Sequence, residues 1–133
     1  MHLIKGEADV NLAKAFLLVV GSFFLTVGVA YLVAPAALAA LVQMSLVSPV
    51  AVIEVQGFYG GQMIGLGAFT LLGAFRPQFA AAALILVAAD LGGTAIGRAV
   101  GMVASSQFPA EMLALMLVES VSAVVSIALV RRA

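Results

Sequence analysis

The sequence predicts an all-helical integral membrane protein, a bundle of four spans with both termini cytoplasmic and a short interfacial segment between spans one and two. Three observations predict it. Hydrophobic residues make up 65% of the 133 positions and charged residues 9%, where soluble domains carry about 25% charged residues; the mean hydropathy is +1.25. Pro35, Pro49, Pro77 and Pro109 punctuate apolar runs, each long enough for the roughly 20 residues that a span requires. Lys5, Lys14, Arg76, Arg131 and Arg132 all fall on one side of a four-span arrangement, while both opposite connections lack Lys and Arg. By the positive-inside rule that side is the cytoplasm.

Met1 to Lys14 is the mixed polar lead, with Lys5, Glu7, Asp9, Asn11 and Lys14. Its histidine, His2, is expected to be a solvated end residue. Span one is expected over 15–34, stopped by Pro35, with Gly21, Ser22, Thr26 and Gly28 as small or polar positions that suit helix contacts in lipid. The apolar run is longer than a signal-peptide core and follows acidic residues, so a retained span is expected. Pro35 to Pro49 has no charged residue and is too short to cross; it reads as an interfacial connector, with a lid as its functional alternative. Span two is expected over 50–75, closed by Arg76 and Pro77. Span three is expected over 79–103. Span four is expected over 109–130, with Pro109 at its first position and Glu111 where the helix dipole favours an acid. A single four-span domain over 1–133 follows.

The stretch Glu54 to Gly67, EVQGFYGGQMIGLG, stands out. With about 100° of rotation per residue, Glu54, Gly57, Gly61 and Gly65 fall on one stripe, a flat packing surface topped by a carboxyl group. On span three Asp90, Gly93, Thr94, Gly97, Arg98 and Gly101 share a face, as Met112, Leu115, Glu119, Ser122 and Ser126 do on span four. Gly57, Gly61, Gly65, Gly93, Gly97 and Gly101 are therefore expected to pack helices.

Four ionisable residues fall inside the expected spans: Glu54, Asp90, Arg98 and Glu119. Arg98 keeps its proton, and an unpaired charge at such depth costs at least about 2.5 kcal/mol. Its expected partners are Glu54, at matching depth, and Glu119. With Asp90 added, three acids face one arginine, so either an acid is protonated or a cation sits among them. Such a cluster reads equally as a titrating or ligand-binding pocket and as structural glue. Tyr59 and Gln62 are candidate lining residues.

Other chemistry is excluded more directly. The absence of cysteine removes disulfides, thiolate metal sites and thiol redox chemistry, and one histidine cannot build the usual haem or zinc sets. No metal and no cofactor is expected. A formal net charge of zero without a basic tract argues against nucleic acid.

The order of Pro35, Glu54, Tyr59-Gly60-Gly61, Gly65 to Gly67, Arg76-Pro77, Gly92-Gly93, Gly97-Arg98 and Glu119 resembles a family of small four-helix bacterial membrane proteins. That family is catalogued as a domain of unknown function and is similar in architecture to the DoxX-like proteins. The resemblance implies a bacterial inner-membrane location and the four-helix fold, and it covers the chain from span one onward. Gln56 stands where the family pattern often has a basic residue, and the pattern does not require an acid at Asp90. Both departures make this cluster more acidic. The function expected is a non-enzymatic binding or accessory subunit, its partners being the lipid bilayer, a protein or second copy, or a small lipophilic ligand. A proton-coupled carrier or lipophilic-ligand binder is the alternative. By analogy with DoxX-like proteins, the third reading is the membrane subunit of a quinone-linked oxidoreductase.

Overall fold

The computed structural model describes the backbone of residues 2–131 and side chains from Val10 to Arg131. The side chains of His2 and Lys5, and Arg132 as a whole, lie outside the described residues. Helix α1 runs His2–Val33, so the polar lead and span one form one helix. Pro35 interrupts it and starts the short α2, Pro35–Leu41. A connection containing Gln43 in the left-handed conformation (φ 58°) leads to α3, Pro49–Val55, whose N-cap Ser48 accepts a hydrogen bond from the Ala51 amide. A π-helical segment, Gln56–Gly61, joins α3 to α4, Gln62–Phe75, within one rod, Pro49–Phe75. Arg76 is extended, as a residue before proline prefers, and α5 follows over Pro77–Ser105. Pro109 caps α6, Ala110–Val130, from outside the helix, and Glu111 lies in its first turn.

Four helical stretches are long and apolar enough to cross a membrane: Val10–Val33, Pro49–Phe75, Pro77–Ser105 and Ala110–Val130. Their bounds lie close to the expected spans. Much of their outward surface is apolar, with Val19 and Phe23 on α1, Ile85 and Ile96 on α5, and Leu117 and Val118 on α6 all exposed. Such a surface suits hydrocarbon as its solvent.

The packing is serial: α1 lies on α4, α4 on α5, and α5 on α6. All four meet at the end that carries the Arg76 turn, where Ala13 and Leu17 of α1, Ala74 of α4, Ala83 and Leu84 of α5 and Leu129 of α6 form a buried cluster. Leu17, Ala83 and Leu84 are fully buried there. Gly73 makes this convergence tight, since a Cβ at that position would run into the Ala83 methyl. Lys14, Arg76 and Arg131 consequently share one end. Towards the other end the π segment packs chiefly on α1, while α5 stays with α6.

Two buried hydroxyls behave differently. The Ser126 hydroxyl donates to the Leu84 carbonyl at 2.7 Å and ties α6 to α5. The Thr70 hydroxyl on α4 is fully buried and has no hydrogen-bond partner among the described residues.

Candidate functional site

Arg98 of α5 and Glu119 of α6 form the central ion pair. The Arg98 Nε donates to Glu119 Oε2 at 2.9 Å and to Oε1 at 3.1 Å, and Nη1 approaches the Met112 sulfur at 3.4 Å. The two side chains are 28% and 13% exposed, so the pair is mostly withdrawn from the surface. The antiparallel hairpin that the Ser106 turn closes brings them to one level. There the αL conformation of Ser106 lets its amide cap the Met102 and Val103 carbonyls.

Across from this pair, Tyr31 of α1 and Tyr59 of the π segment lie ring against ring, with centroids 5.2 Å apart, and Phe58 meets Tyr59 edge-on at 5.8 Å. Arg98 is within electrostatic range of Tyr31, and Glu119 within range of Asp90. The polar centre thus draws on α1, the π segment, α5 and α6. At its mouth, the Gln43 amide donates to Glu111 at 2.8 Å and ties the α2–α3 connection to the start of α6.

Several expected residues lie elsewhere. Glu54 is exposed on α3 and has no ion-pair partner among the described residues, so the expected Glu54–Arg98–Glu119 triad is corrected to an Arg98–Glu119 pair. The physical reason is the π segment. Its wider turns insert about one extra residue, which shifts the phase between Glu54 and everything beyond Gly61 by about 100°. Gln62 is exposed as well. Tyr59 does reach the polar centre, through Tyr31 and not alongside Glu54. Asp90 is half-buried on α5, and its backbone carbonyl accepts the Thr94 hydroxyl at 2.8 Å.

The packing glycines are also corrected. A Cβ on Gly57, Gly65, Gly93, Gly97 or Gly101 would meet nothing within 4 Å, and one on Gly61 would only graze the Gln56 carbonyl at 4.0 Å. These faces point away from the chain's own helices. The close crossings use Gly21 and Gly28 of α1, Gly60 of the π segment, and Gly67 and Gly73 of α4. A strict 100° wheel carried through the π segment selects the wrong glycines; Gly21 and Gly28, small positions within span one, were the usable signal.

Sequence reasoning also missed Tyr31 and Gln56. The Gln56 amide donates to the Leu32 carbonyl at 2.9 Å and helps fix the π segment on α1. The chain has two tyrosines in all, and both lying within apolar runs was the available clue. The described residues bring together no group of three His, Asp or Glu that could hold a metal ion.

No curated protein and no solved structure matches the chain. A family model described as a domain of unknown function, DUF4345, matches residues 12–130, from the first membrane-length stretch to the end of α6, and the chain belongs to that family.

Proposed function

We propose that this chain is a multi-pass membrane protein of the bacterial inner membrane, with both termini cytoplasmic, and that it works by binding and not by catalysis. The observation that carries the reading is the Arg98–Glu119 pair, a charged centre held among apolar helices and faced by Tyr31 from α1. A charge placed there costs insertion energy, and intramembrane ionisable groups that face a bundle interior are functional by default. The location is supported by the four membrane-length apolar helices, and the orientation by the common end of Lys14, Arg76 and Arg131.

Native mass spectrometry of the protein extracted in its own lipids tests the reading, with wild type compared to the paired variant Arg98→Gln/Glu119→Gln. A small molecule retained by wild type and lost in the variant is the expected result. A distinct protein subunit retained by wild type would give the binding role a protein object. Neither a molecule nor a subunit would remove the proposal.

A second reading, a proton-coupled carrier, draws on Asp90 and Glu119 lying within electrostatic range of each other. It requires a pH-dependent ligand affinity that Asp90→Asn abolishes, and a flat profile in wild type would end it.

A further inference from the structure

The donors left over at the polar centre point to the chemistry of its occupant, an inference that rests on the binding reading above. A guanidinium has five N–H groups. In Arg98 the Nε proton is shared by both Glu119 oxygens, and Nη1 meets only a thioether, a weak acceptor. The other terminal N–H groups have no protein acceptor among the described residues. The same holds for the hydroxyls of Tyr31 and Tyr59, although the Tyr31 side chain is only 8% exposed. Donors accumulate here, and within hydrocarbon a donor without an acceptor is costly.

Charge narrows the choice. Arg98 and Glu119 neutralise each other, and Asp90 is the other acid within range of Glu119. An anionic head would add negative charge beside two carboxyl groups in a medium of low dielectric, and a cationic head would face guanidinium N–H groups. A neutral acceptor oxygen meets neither penalty. The paired tyrosine rings supply a flat apolar wall beside the donors.

We propose that the space between Arg98 and the Tyr31–Tyr59 pair binds a neutral lipophile through an acceptor oxygen such as an ester or ketone carbonyl. The Arg98 Nη groups and the tyrosine hydroxyls donate to it. The arrangement follows the usual design of a small-molecule site, an apolar wall with a few placed polar groups.

The protein carries its own reporter, because it has two tyrosines and no tryptophan, and both tyrosines are in the site. The full chain in a non-ionic detergent is titrated with octadecyl chains dibrominated at their middle, and quenching of tyrosine fluorescence is followed. The chains differ only in the head: methyl ester, sulfonate, or plain hydrocarbon. The expected result is saturable quenching by the ester at a concentration about tenfold below that for the hydrocarbon or the sulfonate. Arg98→Gln/Glu119→Gln, which keeps the pair neutral, is expected to erase that advantage. Tyr31→Phe leaves the ion pair and the Tyr59 reporter in place, and it is expected to weaken the ester severalfold; it carries the test if the double variant does not fold. An equal or tighter response to the sulfonate overturns the neutral-acceptor assignment while leaving a binding site. Equal response to ester and hydrocarbon overturns polar recognition. No saturable quenching by any chain overturns both the assignment and the binding reading.

Discussion

Gly28 of α1 and Gly60 of the π segment cross at backbone contact: a methyl group on Gly28 would lie 2.9 Å from the Gly60 carbonyl oxygen and equally close to the Ile64 amide nitrogen. Neither backbone atom can move aside cheaply. Gly28→Ala is therefore expected to destabilise the fold by about 1–3 kcal/mol, the usual cost of overpacking. Gly93→Ala, on a helix face that opens on space, is expected to stay within about 0.5 kcal/mol or gain slightly from helix propensity. Thermal unfolding in detergent compares the two, and an equal loss in both would refute the assignment of the crossing.

The Arg98–Glu119 contact calls for a double-mutant cycle. Glu119→Gln leaves a partly buried guanidinium without its counter-charge, and a loss of about 1–3 kcal/mol is expected, below the figure for a fully buried pair because Arg98 keeps 28% of its side chain exposed. Arg98→Gln/Glu119→Gln together should cost less than the two single changes added. Strict additivity would mean that the two groups do not interact.

Glu54→Gln separates the pair from the triad expected from sequence. The exposed Glu54 carboxylate makes no ion pair, so folded yield and unfolding temperature should match wild type. A loss comparable to Glu119→Gln would restore Glu54 to the cluster.

The two buried hydroxyls predict opposite signs. Ser126→Ala removes a 2.7 Å bond between helices and is expected to cost about 1 kcal/mol, whereas Thr70→Val removes an unpartnered group and is expected to be neutral or stabilising by a similar amount. Unfolding curves of the two variants decide it. A destabilised Thr70→Val would show that this hydroxyl has an acceptor.

The absence of native cysteine makes orientation simple to read. A single cysteine at Gln78, in the turn beside Arg76, should be labelled by a membrane-impermeant thiol reagent only after the cytoplasmic face is opened. One at Ser106 should be labelled in intact cells. The reverse pattern would invert the topology.

The helices were legible because composition and proline positions act locally. Pro35, Pro49 and Pro77 each begin a helix, and 50–75 was read almost to the residue. Arg98 with Glu119 was legible too, since a permanent intramembrane charge demands an acid and few were available. Glu54 and the outward glycines were not, because their direction depends on the geometry of the turns at Gln56–Gly61, which residue identity does not announce. The role of Tyr31 depended on the crossing of α1 with that same segment, a tertiary fact.

The wide turn at Gln56–Gly61 gives one rod two independent bearings. Beyond it, α4 is clamped to α1 through Gly67 and to α5 through Gly73; ahead of it, α3 presents Glu54 outward, under the strap that Gln43 fastens to Glu111. Excising a single residue from this turn would swing α3 through about 100° and draw it in by about 1.5 Å, with the α4 clamp untouched. The segment is thus a rotary joint in an otherwise stiff mast, the place where the outward-facing portion of the rod can be re-aimed independently of its anchorage.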